Sequence, residues 1–252
     1  MIRLFLADID GCLAAPYKAY DLDGFRTLAE YGRRAETDPT LPRLGICSGR
    51  SYAYVEAVAQ ALDLRGPALF ESGGGRFDLA TASIRWSDHL TPDVERQLHA
   101  VRDYFHRDVL PDTGFAYDYG KRAQSGVVWT DEAEVARWAE IVDRWVTDRF
   151  PDLNVHPTHV SIDVVPRALT KRVAVETVAE EEGLGLGELA FIGDTDGDIA
   201  ALEAVGFSFA PQNAQAAVKE VVSVVTDGAV LDGVLEAYRW CIRHNEAALA
   251  SV

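Results

Sequence analysis

Apolar and polar positions along the first third of the chain follow the rhythm of strands that stop at polar loops and lead into helices. Arg3 to Ala7 is a short apolar run ending at Asp8-Ile9-Asp10-Gly11, as a buried parallel strand ends at its carboxyl edge. Asp23 to Arg34 predicts a helix with Phe25, Leu28, Ala29 and Gly32 near one face. Pro42 to Cys47 is a second apolar run, stopping at Ser48-Gly49. A helix over Ser51 to Leu62 follows, with Tyr54, Val55, Val58 and Leu62 on one stripe. Pro67 to Phe70 predicts a third strand, ending in the loop Glu71-Ser72-Gly73-Gly74-Gly75. Strand, polar loop and helix in this alternation predict an α/β doubly wound parallel sheet.

The rhythm then changes. Ser83 to Trp86 predicts a strand, and Thr91-Pro92 opens a helix to about Arg107, with Thr as cap and Pro at the first position. Phe115 to Tyr119 and Gly126 to Thr130 read as paired strands. A helix through Phe150 follows, then a second strand pair, Leu153 to Pro157 and Val160 to Pro166. This α-β-β-α-β-β order predicts an inserted α+β unit over 83–164, dividing a core made of 1–82 and 165–252. The first rhythm returns with a helix over Thr170 to Glu182 and a strand over Leu189 to Ile192 that ends at Gly193-Asp194-Thr195-Asp196-Gly197-Asp198. A helix over Ile199 to Val205 comes next. Short strands at Gly206 to Ala210 and Val221 to Val225 then flank a helix from Ala214, and a last helix starts near Val230.

Length and charge narrow the function. At about 150 residues per domain, 252 residues make one large domain or two small ones. The net charge of −16 argues against binding nucleic acid through its phosphates, or an anionic membrane through its headgroups. No apolar run approaches the ~18–20 residues of a membrane span. Asp8 arrives too early for a signal-peptide core, so a cytoplasmic protein is expected. Cys12, Cys47 and Cys241 are far apart with no CxxC pair, and read as reduced thiols.

Four features fall at predicted strand ends or helix starts, where open α/β sheets bind ligands. Asp8 and Asp10 are two carboxylates one residue apart, a costly pair unless a cation or a proton lies between them; they also fit a polar loop or helix cap. Asp194 and Asp198 lie in a run of three acids whose hard oxygens suit Mg2+ but not the spacing of a calcium-binding EF-hand. Ser48, Gly49 and Arg50 offer a hydroxyl, free backbone N–H groups and a cation to a phosphate, or simply a helix cap. Lys171 is one of only four lysines, and taken alone would be a solvated surface side chain.

Taken in order, DxD, then Ser-Gly-Arg, an α+β insert, a Lys, and GDxxxD resemble the haloacid dehalogenase (HAD) superfamily. The likeness is to members with a C2-type cap between the second and third motifs, and it covers nearly the whole chain. The small cap looks like that of archaeal-type phosphoglycolate phosphatases and is shorter than in most Cof-type sugar-phosphate phosphatases; sucrose-phosphate phosphatases are other relatives. The tail resembles the same group through Gln212-Asn213-Ala214, Lys219, Val225-Thr226 and Asp232-Gly233-Val234.

The resemblance implies a HAD-like doubly wound core with an inserted C2 cap, and a Mg2+-dependent phosphomonoester hydrolase acting on a small phosphorylated metabolite. Sugar phosphates lead as the expected substrates, with phosphoglycolate close behind, and a monomer or homodimer is expected. Asp8 is then the nucleophile, Asp10 the acid and base, and Ser48 and Lys171 the phosphoryl holders. The metal falls to Asp8, Asp10 and Asp194, with Asp198 in support. Gly49, Arg50, Asn213, Lys121 and Arg122 are the further substrate-binding candidates. The chain departs from the family pattern at Cys12, where Thr is usual, at Ser72-Gly73-Gly74 in place of Asn-Gly-Ala, and at Gly197 in place of Asn. A phosphomannomutase-like phosphohexomutase shares the nucleophile chemistry. A non-catalytic HAD-fold binding protein is the reading from another class, and it has no need of Asp10.

Overall fold

The computed structural model describes residues 1–250. Eight strands form one sheet in the order β12-β11-β10-β1-β2-β3-β4-β5, built from β1 (Leu4–Ala7), β2 (Arg43–Cys47), β3 (Ala68–Phe70), β4 (Gly75–Asp78), β5 (Ser83–Trp86), β10 (Leu189–Ile192), β11 (Phe207–Ala210) and β12 (Val224–Val225). The six from β12 to β3 run parallel, and β4 and β5 add an antiparallel edge. The chain is therefore a mixed α/β protein with a parallel-rich sheet.

Both faces of the central strands are apolar because helices cover both. On β1, Phe5 and Ala7 join one core cluster while Leu4 and Leu6 join the other. The first face packs against α1 (Leu22–Arg34), α2 (Tyr52–Ala61) and α8 (Leu231–Ala250), and the ring of Tyr238 from α8 meets Phe5 edge-on at 5.3 Å. The second face packs against α5 (Lys171–Glu181), α6 (Asp196–Leu202) and α7 (Ala216–Val221).

A separate four-stranded antiparallel sheet has the order β6-β7-β9-β8, from β6 (Ala116–Tyr117), β7 (Ser125–Val128), β8 (Leu153–Pro157) and β9 (Ser161–Pro166). With α3 (Pro92–Tyr104) and α4 (Glu132–Thr147) it encloses its own apolar cluster, including Phe105, Val127, Val142 and Ile162.

Two expectations need correcting. Ser83 to Trp86 does not open the insert: as β5 it pairs with β4 at the edge of the main sheet. Its partner β4 was hidden because the polar, glycine-rich run before it reads as loop. The helix expected from Ile199 begins at Asp196, since Thr195 and Asp198 cap it reciprocally.

Candidate active site

Strand register brings the first two motifs and the last acids together. Ala7 lies beside Ile46 on one side and Ile192 on the other. Asp8, Cys47-Ser48 and Gly193-Asp194 therefore leave the sheet side by side, at the carboxyl edge where ligands bind.

Asp8 is 5% exposed, and Lys171 at the first turn of α5 is 7% exposed. The Lys171 Nζ donates to Asp8 Oδ2 at 2.8 Å and to Asp198 Oδ1 at 2.6 Å. Burial alone would lower the Lys171 ammonium, but Asp198 and Asp8 more than offset it and hold it protonated. Burial pushes the Asp8 carboxyl up to about 6, against the pull of Lys171. The second oxygen of Asp198 accepts from the N–H of Asp194 (3.1 Å), the N–H of Thr195 (3.0 Å) and the Thr195 hydroxyl (3.2 Å). Both its oxygens are engaged, so Asp198 orients Lys171 and the Asp194 loop.

Asp194 is different. Its Oδ1 is buried with no hydrogen-bond partner, and burial together with Asp8 and Asp198 raises its carboxyl to about 7. One oxygen from each of Asp8, Asp194 and Asp198 lies within 4.8 Å of the others. Three carboxylates face one lysine, and an orphaned hard oxygen is among them. That donor set fits a divalent cation such as Mg2+. Gly11, at φ +72°, lets the backbone pass against the Asp194 carboxylate, where a Cβ would collide.

Asp10 is engaged by Arg50 instead. Its two oxygens accept from Arg50 Nε at 2.6 Å and Nη2 at 2.7 Å. The Arg50 guanidinium also lies over Tyr54 at 4.8 Å and over Tyr17 at 5.4 Å, and Tyr17 is 75% exposed. Ser48 is buried, and its Oγ accepts the Arg50 N–H at 3.3 Å, closing a turn around Gly49.

The expected substrate contacts divide. Lys121, in the loop between β6 and β7, pairs with Asp163 at 2.7 Å, and a Cβ on the preceding Gly120 would lie 3.0 Å from Ser51 Oγ at the start of α2. That loop therefore sits over the Ser48–Ser51 segment. Arg122 is engaged elsewhere, by Glu95 at 2.7 Å and over the Trp86 ring at 4.6 Å. Asn213 uses both ends of its amide on backbone, donating to Gly11 O and accepting from Val230 N–H, so it braces the loop after β1. Sequence reasoning passed over Glu71, Tyr17, Tyr54 and Asp163. Glu71 carried a usable signal: it is an acid directly after an apolar strand, the same placement that singled out Asp8.

A model of the haloacid dehalogenase-like hydrolase family matches residues 93–237. The phosphoglycolate phosphatase of Natronomonas pharaonis is 27% identical over 94% of this chain and 96% of its own length. That of Methanosarcina acetivorans is 30% identical over 76% of this chain and 79% of its own. Among solved structures, Thermoplasma acidophilum 0175 superposes with a TM-score of 0.72 at 21% identity, over 96% of this chain and 98% of that one. The sucrose-phosphatase of Synechocystis, solved with sucrose and phosphate, gives 0.69 at 16% identity, over 98% and 99%. At these identities the structures speak for the fold.

Proposed function

The chain belongs to the haloacid dehalogenase-like hydrolase family and is a phosphatase, and from that premise we propose a Mg2+-dependent phosphomonoesterase for a small phosphorylated acid of the phosphoglycolate class. The carrying observation is Asp8: a buried carboxylate held by Lys171, beside the orphaned oxygen of Asp194. The names of the full-length relatives favour phosphoglycolate over sugar phosphates.

Asp8 attacks the phosphorus in line, forming an aspartyl-phosphate as the bond to the leaving oxygen breaks. Asp10 gives that oxygen its proton, then takes a proton from the water that attacks the phosphorus and frees Asp8. To reach the leaving oxygen Asp10 must let go of Arg50, which holds both of its oxygens in this structure. Lys171, with the hydroxyl and N–H groups around Ser48, takes the charge on the phosphoryl oxygens. Asp8, Asp194 and the Asp10 backbone carbonyl would hold Mg2+, which would supply the positive charge that lets a carboxylate approach a phosphate dianion. The four-stranded unit is the cap, and its Lys121 meets the carboxylate of the substrate, displacing Asp163.

The test is phosphate release from phosphoglycolate, a sugar-phosphate panel and an aryl phosphate, in Mg2+ and in EDTA. Wild type is expected to turn over phosphoglycolate with the highest kcat/KM, only with the metal. Asp8→Asn should lose activity on the order of a thousandfold or more, as nucleophile removals do. Substantial turnover by Asp8→Asn would overturn the nucleophile, and a sugar phosphate at the top of the ranking would overturn the substrate.

A further inference from the structure

Glu71 follows β3 directly and is completely buried. A buried carboxylate needs partners, and this one finds them in backbone rather than in a cation. Its oxygens accept the N–H of Arg122 at 3.0 and 3.2 Å and the N–H of Ala123 at 2.6 Å. Those residues lie in the loop that carries Lys121.

The main chain at Glu71 is as constrained as its side chain. Glu71 and Ser72 have φ of +51° and +55°, and Gly73 follows at +93°. Left-handed backbone at two residues with side chains is costly and persists only where surroundings impose it. Here the imposing contacts are two: Glu71 N–H donates to Arg50 O, and Ser72 N–H to Ser48 O, both at 2.9 Å. One residue thus bonds by main chain to the segment that holds Arg50 and by side chain to the loop that holds Lys121. Gly74 clears the approach, since a Cβ there would lie 2.6 Å from the Ala123 Cβ.

We infer that Glu71 is a positioning residue that seats the 121–124 loop on the Ser48–Arg50 segment, so that Lys121 is held over the phosphate site and substrate selection by the cap runs through this one buried carboxylate. The inference rests on the phosphatase reading and adds the route by which the cap acts. Burial pushes the Glu71 carboxyl up to about 7, against the pull of the Arg122, Ala123 and Gln124 N–H groups and of Lys121.

The experiment compares wild type, Glu71→Gln and Gly74→Ala, in saturating Mg2+, on phosphoglycolate and on an aryl phosphate. Gly74→Ala lifts the loop without touching a charge. Both variants are expected to lower kcat/KM for phosphoglycolate about tenfold, mainly through KM, and to leave the aryl phosphate within about twofold, the loss of one charged hydrogen-bond set. Amide exchange at residues 122–123 should quicken in both variants. Equal effects on both substrates, or unchanged exchange, would overturn the inference. If wild type releases no phosphate from any substrate, the functional reading fails, and amide exchange alone still decides whether Glu71 seats the loop.

Discussion

Lys171 is one positive charge among three carboxylates, so at neutral pH the cluster of Asp8, Asp194 and Asp198 is over-supplied with negative charge. Burial, then this crowding, raises Asp194 to about 7, and burial raises Asp8 to about 6, both from an ordinary 3.8. Between pH 4 and 7 the metal-free folded protein therefore keeps protons that the unfolded chain has released. Its stability from these two groups is full below about pH 4 and is lost as pH rises through 6 to 7. A divalent cation held by the deprotonated carboxylates would reverse the loss. Melting curves in EDTA should show Tm falling from pH 5 to pH 8, and the gain on adding Mg2+ should grow over the same interval. A gain that does not change with pH would mean that the cation binds away from these carboxylates.

At the scale of elements, the site is built from ends. Asp8 follows β1, Ser48 follows β2, Lys171 starts α5, and Asp198 lies in the first turn of α6. Asp198 serves two elements at once: one oxygen caps α6, and the other holds Lys171. Asp198→Asn keeps the shape but weakens both, so kcat should fall roughly ten- to hundredfold, as with other groups that orient a site, with KM less affected. A fall in Tm with kcat unchanged would make Asp198 a helix cap only. These ends were legible in the sequence because each apolar run is short and stops at a polar residue. The strand β10 matches its expected limits for the same reason, and β5 and β8 match theirs. What escaped was set by distant contacts. Nothing local shows that Arg50 will clasp Asp10, forty residues earlier, or that Glu71 will accept N–H groups fifty residues later. The beginning of α6 escaped because Asp196 and Gly197 read as loop until Thr195 and Asp198 cap each other.

At the scale of the whole molecule, two bodies of hydrophobic packing share no residue. The cluster around Phe105, Val127 and Ile162 belongs to the four-stranded unit, and the clusters on the two faces of the main sheet contain nothing from it. Ala123, Val165 and Leu169, with Trp86 and Leu90 packed against them, form a small cluster where the two units join. If the four-stranded unit is a cap, removing 91–165 and joining the ends with a short linker leaves β5 and the parallel sheet whole. Cooperative unfolding should survive, because each remaining core keeps its own packing. Turnover of phosphoglycolate should fall on the order of a hundredfold or more as its positioning is lost, while the aryl phosphate is still cleaved by Asp8 and Lys171. Glu71 would then lose its amide partners to water, and substrate selection would vanish with the loop that it seats. A truncated chain that no longer unfolds cooperatively would mean that the two units fold as one, and that the join at Ala123 and Leu169 is part of the core.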